Sequence, residues 1–128
     1  MRMLLLLAAA GALGTLSRYG LGGLVQKVAG YGFPYGTLIV NGLGCLAIGF
    51  IMQIALSTDI IPANFRIAAT IGFLGAFTTF STFSYETVRF LEDGAWVAAL
   101  LNIGSNLGVS LLATLSGILL GRIILGGV

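Results

Sequence analysis

Histidine is absent from this chain, and cysteine occurs once in 128 residues. Without imidazole or clustered thiols, the common zinc sites and histidine general bases are excluded, and Cys45 has no partner for an internal disulfide. Charged residues make up 8% of the chain, against roughly 25% in a soluble domain. This scarcity of charged residues excludes a water-soluble globule. The net charge of +2 is too small and scattered for a nucleic-acid partner.

Apolar residues dominate instead: 58% of the chain is hydrophobic and the mean hydropathy is +1.08. Four apolar segments are each long enough to cross a bilayer, which takes about 20 residues. They predict spans at residues 3–28, 34–56, 63–90 and 95–125, forming one four-helix transmembrane domain over residues 1–128. The predicted fold class is an all-α membrane protein.

The third span contains an unusual stretch from Gly72 to Glu86. Glycines are poor helix formers, and the pair Thr78-Thr79 is β-branched. Hydroxyl and phenyl side chains follow one another through Ser84. Hydroxyls in hydrocarbon need partners, so this face is expected to meet protein or water rather than lipid. The pattern predicts a helix broken mid-span near Gly75 and the working part of a small membrane channel.

Other polar residues in the spans have two readings each. Arg18 either extends to the membrane interface or lines a water-filled vestibule that attracts anions. Asn41, in the second span, more often bonds a neighbouring helix than a substrate. The i, i+3 spacing of Glu86 and Arg89 favours a self-neutralising pair over a pore role.

The fourth span carries Asn102 and Asn106 at i, i+4. Residues at this spacing share one face of a helix. Such a polar face either packs on another helix or lines an aqueous path.

Positive charges are nearly balanced between the two sides of the predicted bundle. One side has three, and the other has two, or three if Arg18 extends that way; the residues counted are Arg2, Arg66 and Arg122 against Lys27, Arg89 and Arg18. The positive-inside rule needs an excess to set orientation. The balance predicts dual topology and an antiparallel homodimer with its two-fold axis in the membrane plane.

The break in the third span is expected to lie at that axis. Carbonyls of Gly75 and Thr78 from both chains would converge there. A ring of carbonyl oxygens without carboxylates suits a monovalent cation such as Na⁺, held structurally. The alternative is that Gly75 only permits close helix contact.

Phe80 and Phe83 lie at i, i+3 and share a face. A phenyl ring has a positive edge, so an anion can lie against ring edges while a neutral hydroxyl or amide donates to it. Neutral donors suit conduction, because a full positive charge would hold a small anion too tightly.

The motifs of three spans together resemble the Fluc/CrcB fluoride channel family. The matching stretches are residues 75–84 followed by Glu86, residues 11–19 (GALGTLSRY) and residues 36–44 (GTLIVNGLG). The resemblance covers essentially the whole chain. It implies a dual-topology homodimer with two pores, passive fluoride export that protects the cell from fluoride toxicity, a central structural Na⁺, and residence in the bacterial plasma membrane as a multi-pass protein rather than an enzyme.

The resemblance also assigns residues. It implies Na⁺ on the carbonyls of Gly75 and Thr78, and a vestibule at Arg18. Fluoride is implied near three residues and a polar track at three more: Phe80, Phe83 and Asn41, then Ser81, Thr82 and Ser84. The fourth span departs from the family, which often has Tyr where this chain has Asn102, so an amide donor is expected there instead.

Two other functions fit a small four-span chain. A dual-topology, proton-coupled multidrug exporter needs a carboxylate facing a midplane cavity, and Glu86, toward a helix end, is the one embedded acid of the predicted spans. An accessory membrane protein without transport activity would explain the glycines but not the alternating hydroxyls and phenyls.

Overall fold

The computed structural model describes residues 1–126, and every regular element in that range is helical. The helices are α1 (Arg2–Ala29), α2 (Tyr35–Ser57), α3 (63–77), α4 (Phe80–Glu92) and α5 (Trp96–Ile124). Within the described residues, four segments are long and apolar enough to cross a membrane, and α3 and α4 together form the third, Ala63–Glu92. The predicted all-α, four-span fold with an interrupted third span is confirmed.

The interruption lies at Thr78 and Thr79 rather than at Gly75. Gly75 has helical dihedrals (φ −62°, ψ −32°), whereas Thr78 (φ −84°, ψ 158°) and Thr79 (φ −150°, ψ 108°) are extended. The predicted position of the break was therefore wrong. Extended backbone suits the stiff β-branched side chains of the two threonines. Gly75 follows a helical segment and continues its backbone conformation.

A π-helical segment precedes the break. Helix α3 begins as an α-helix (Ala63–Ile67), widens into a π-helix (Ala68–Leu74) and ends with one α-helical turn (Gly75–Phe77). π-Helical turns are rare and are frequently found at functional sites. The third span is thus irregular on the approach to the break as well as at it.

Helix α2 packs closely against both α5 and the break because of glycines on α2 and on α5. A Cβ atom on Gly44 would lie 2.1 Å from Thr78 Cγ2. On α5, a Cβ on Gly117 would lie 2.2 Å from the Leu46 carbonyl oxygen. Neither position has room for a side chain, so small residues allow the helix backbones to touch, as in many membrane bundles.

The buried apolar core is small and lies between α2 and α3, with Val40, Leu74 and Phe77 at its centre. Many large apolar side chains on all the long helices are exposed instead. A surface of this kind is unfavourable in water. Lipid or another polypeptide must therefore cover it.

The backbone contact at Gly117 predicts an unequal response to two similar substitutions on α5. Gly117→Ala should reduce the free energy of unfolding by about 1–3 kcal/mol, because the added methyl group forces α2 and α5 apart. Gly104→Ala has no atom within 4 Å of the new Cβ and should be neutral or stabilising by up to about 1 kcal/mol, because alanine is the better helix former. Equilibrium unfolding in mixed detergent micelles measures both, and equal effects would contradict the close approach.

Candidate functional site

The Asn41 side chain on α2 binds the backbone at the break. The Thr79 N–H donates to Asn41 Oδ1 at 2.7 Å, and Asn41 Nδ2 donates back to the Thr79 carbonyl at 3.2 Å. In a continuous helix that N–H would bond the carbonyl four residues earlier, at Gly75. One buried amide therefore satisfies both backbone groups of Thr79 and releases the Gly75 carbonyl from the helical ladder.

The Thr79 side chain has a similar effect on Thr78. Thr79 is the N-cap of α4, and its Oγ1 accepts from the Thr82 N–H at 3.2 Å. In a continuous helix this N–H would bond the Thr78 carbonyl. The same Oγ1 donates to Thr82 Oγ1 at 2.9 Å and lies 3.2 Å from Ser81 Oγ. Helix α4 thus starts inside the span, with its positive end at the break.

One side of the break carries a groove of about 290 Å³, here called the phenylalanine groove. Its lining is uncharged and combines two rings with amides and hydroxyls: Asn41, Cys45, Thr78, Thr79, Phe80, Phe83, Asn106, Leu107, Ser110 and Leu111. The ring centroids of Phe80 and Phe83 are 5.3 Å apart and the rings meet edge to face at 61°. Phe83 is 7% exposed, whereas Phe80, 74% exposed, lies at the surface of the chain.

A second, open groove of about 650 Å³ lies along α1 and α2 and is here called the arginine groove. Its polar lining consists of Thr15, Arg18, Tyr19, Gln26, Thr37, Thr79 and Thr82. Thr79 belongs to both grooves. Within a single chain, Arg18 therefore lies in a different groove from the two phenylalanines, and the break separates them.

The structure places the predicted polar track unevenly. Thr82 lines the arginine groove. Ser81 is exposed, and the Ser84 hydroxyl donates to the Phe80 carbonyl of its own helix at 2.9 Å. Asn102 is fully buried and lines neither groove.

Two polar residues of α5, Asn106 and Ser110, line the phenylalanine groove. The sequence assigned Asn106, with Asn102, to a face that packs on a helix or lines an aqueous path, and it did not select Ser110. Together with Asn102 they continue an i, i+4 row along α5, so the signal was present in the sequence. Spacing identifies the row but not which members face the groove, because that depends on how far along α2 the break lies.

Glu86 pairs with a hydroxyl rather than with Arg89. The Thr37 hydroxyl donates to Glu86 Oε1 at 2.6 Å, while Glu86 Oε2 is buried and has no hydrogen-bond partner among the described residues. Arg89 instead bonds Glu92 at 2.9 Å and approaches Asp93 at 3.6 Å. The predicted self-neutralising pair was wrong, because the C-terminal end of α4 and the residue after it offer Arg89 the exposed carboxylates of Glu92 and Asp93.

Comparison with known proteins identifies the family of the chain. Residues 5–118 match the family described as CrcB-like protein, Camphor Resistance (CrcB). A Geobacter metallireducens protein named fluoride-specific ion channel FluC is 54% identical over 112 residues, covering 88% of this chain and 90% of the relative. Proteins of the same name from Dehalococcoides mccartyi (50% identical, covering 94% of this chain and 93% of the relative) and Syntrophotalea carbinolica (50%, covering 93% and 97%) are similar. These relatives confirm the resemblance drawn from the motifs, and the chain, a multi-pass bacterial membrane protein, belongs to the CrcB-like family.

Proposed function

We propose that this protein is a fluoride-selective channel through which fluoride leaves the cell passively. The observation that carries the proposal is the uncharged phenylalanine groove beside a helix break inside the span. The relatives' name, fluoride-specific ion channel, points to the same ion. An uncharged lining allows an anion to be bound and then released, which conduction requires.

The chemistry of the groove suits a small anion. The edges of the Phe80 and Phe83 rings carry partial positive charge, and Ser110 supplies a neutral hydroxyl beside them. Asn106 also lines the groove, but both hydrogens of its Nδ2 are bound by Asn102. Both hydrogens of Asn41 Nδ2 already have acceptors, the Thr79 carbonyl and Asn106 Oδ1, each at 3.2 Å. An anion that binds the Asn41 amide must therefore displace one of these two acceptors. The edges of the two rings have no such internal partner in the described part of the chain and are free to contact the anion.

The remaining predicted residues are assigned to the approach rather than to the narrow part. Arg18 lies in the arginine groove with Thr82, where a cation concentrates anions near a pore mouth. Ser81 and Ser84 continue the polar surface of α4. Asn102 contributes through its hydrogen bonds with Asn106.

The proposed assembly is an antiparallel homodimer with two pores. A single chain leaves Phe80 74% exposed, and its two grooves are separate, so one chain does not enclose a route by itself. A second, inverted copy would cover Phe80 and extend each groove with its own residues. The near balance of positive charge supports insertion in both orientations.

Orientation can be fixed by adding charge to a connector. The pair Thr58→Lys and Asp59→Lys should hold the second connector in the cytoplasm, and Tyr31→Lys with Gly32→Lys should do the same for the first connector. Each variant alone should lose more than about nine-tenths of its fluoride efflux, and co-expression of the two should restore it. Full efflux from either variant alone would contradict antiparallel pairing.

The released carbonyls of Gly75 and Thr78 fit a structural Na⁺ at the dimer axis. Their usual N–H partners are bound by side chains, of Asn41 and Thr79 respectively, and Gly75 is exposed on the single chain. Within residues 1–126 no cluster of acidic, cysteine or histidine side chains offers a metal site, and neutral carbonyl oxygens suit a monovalent ion. When bound, Na⁺ would supply a positive charge that both chains share.

Removal of Na⁺ tests this role. Replacing Na⁺ with the bulky cation N-methyl-D-glucamine should lower the dimer fraction of purified protein, because uncompensated carbonyls would then face one another. Chemical cross-linking over a dilution series measures that fraction. A dimer fraction independent of Na⁺ would remove the cation from the assembly.

Ion efflux from reconstituted liposomes tests the function itself. Fluoride should leave rapidly down its gradient, chloride should be retained, and no proton gradient should be needed. Phe80→Ile and Phe83→Ile should each slow fluoride efflux roughly tenfold, equivalent to about 1.4 kcal/mol, because an aliphatic chain lacks the positive ring edge.

The two isoleucine variants must remain dimeric for the comparison to count, which cross-linking checks. Unchanged efflux in both would remove the rings from the mechanism. Equal fluxes of chloride and fluoride would exclude a fluoride channel, and strict dependence on a proton gradient would identify a coupled exporter instead.

A further inference from the structure

Buried hydrogen bonds continue from the break, through α5, and back to α4. Asn41 Nδ2 donates to Asn106 Oδ1 at 3.2 Å, and Asn106 Nδ2 donates to Asn102 Oδ1 at 2.9 Å. Asn102 Nδ2 then donates to Thr87 Oγ1 at 2.9 Å. The chain of four side chains, here called the amide chain, joins α2, α5 and α4.

The amide chain is shielded from solvent along its whole length. Exposed fractions are 9% for Asn41, 4% for Asn106, 0% for Asn102 and 7% for Thr87. A buried polar group without a partner is costly. The alignment that satisfies every member is therefore strongly favoured over one that leaves a donor or an acceptor unpaired.

The direction of the amide chain is set at its Thr87 end. The Thr87 hydroxyl donates its one hydrogen to the Phe83 carbonyl at 2.8 Å, so toward Asn102 it can only accept. Asn102 must therefore present its nitrogen to Thr87 and its oxygen to Asn106. Reversing either amide would place two acceptors or two donors face to face.

The same logic fixes Asn41 at the other end. Asn106 uses its nitrogen on Asn102 and has its oxygen left for Asn41, so Asn41 turns its nitrogen to Asn106 and its oxygen to the Thr79 N–H. Asn106 Nδ2 also donates to the Asn102 main-chain carbonyl at 3.2 Å, so both oxygens of Asn102 orient Asn106 and, through it, Asn41. The side-chain oxygen is held in place by the bond from Asn102 to Thr87, eight positions beyond Thr79 in the same span.

We propose that Asn102 and Thr87 are positioning residues that keep the helix break open by orienting the Asn41 amide. They line neither groove and act only through Asn106 and Asn41. The proposal deepens the proposed function and rests on it for its consequence in transport, since the break releases the Gly75 carbonyl and sets the start of α4 beside the phenylalanine groove.

Two substitutions at Thr87 separate its hydroxyl from its methyl group. Thr87→Val keeps the shape and removes the acceptor, whereas Thr87→Ser keeps the hydroxyl and removes the methyl. In ¹⁵N-labelled full-length protein reconstituted in bicelles, the Thr79 amide should exchange with solvent about tenfold faster in Thr87→Val, and at the unaltered rate in Thr87→Ser. Fluoride efflux should follow the same order, falling about tenfold in the valine variant.

A second pair of substitutions makes the same comparison on α5. Asn102→Leu removes the side-chain bonds to Thr87 and from Asn106 at nearly constant volume and leaves only the Asn106 bond to the main-chain carbonyl of residue 102; it should accelerate Thr79 exchange by about tenfold. Ser105→Ala is the matched control on the neighbouring turn, because the Ser105 hydroxyl forms a long hydrogen bond, 3.4 Å, to the Asn102 main-chain carbonyl and none to a side chain of the amide chain. The control should leave Thr79 exchange unchanged.

The outcomes distinguish the amide chain from packing. Slow Thr79 exchange in both Thr87→Val and Asn102→Leu would overturn the proposal, as would impairment by Thr87→Ser with a normal Thr87→Val. Faster exchange with unaltered fluoride efflux would overturn the role in transport. The exchange measurement needs no fluoride, so a wild-type protein that fails to conduct fluoride would refute the proposed function without affecting this comparison.

Discussion

The two hydrogen bonds between the Asn41 amide and the backbone of Thr79 are the constraint on which the site depends. Inside a bilayer, a backbone N–H and C=O that leave a helix must find other partners within the protein. One side chain of α2 supplies both. Because the Thr79 N–H is held by Asn41, α3 stops at Phe77 and α4 starts at Phe80. The grooves on either side of Thr79 follow from that stop.

Glycine is the second requirement, since the amide must come within hydrogen-bond distance of a main chain. Gly44 lies less than one turn after Asn41 on α2, and a Cβ there would overlap Thr78 Cγ2 at 2.1 Å. The amide and the missing side chain therefore act together. One supplies the bonds and the other supplies the space in which they form.

Sequence alone predicted the parts of this structure that depend on local composition. Long apolar segments gave the four spans, and the glycines and threonines of the third gave its interruption. The position of the break was missed because Asn41, which fixes it, is 38 residues away along the chain. Periodicity placed Asn102 and Asn106 on one face of the fourth helix, but it did not define which of them meets the groove, because that depends on the depth at which a neighbouring helix crosses.

The sequence did not predict how the few charged side chains pair. The run of hydroxyl and phenyl side chains did suggest an uncharged lining around Phe83. Glu86 meets the Thr37 hydroxyl and Arg89 meets Glu92, although Glu86 and Arg89 have the spacing of a helical ion pair. Arg89 has a choice of carboxylates at the end of α4, and Glu86 has a hydroxyl partner on α2; the spacing of one pair of residues contains neither alternative.

The backbone contact between α2 and α5 has a consequence for motion. At Gly49 and Gly117 the main chain of each helix fills the space that a side chain would occupy on the other. Two helices packed in this way cannot slide along each other without first separating, because the backbone of each occupies the space left by the missing side chain of the other. Alternating-access transporters work by rocking one bundle against another. The close contact between α2 and α5 instead favours a rigid scaffold, through which an ion moves without relative movement of these two helices.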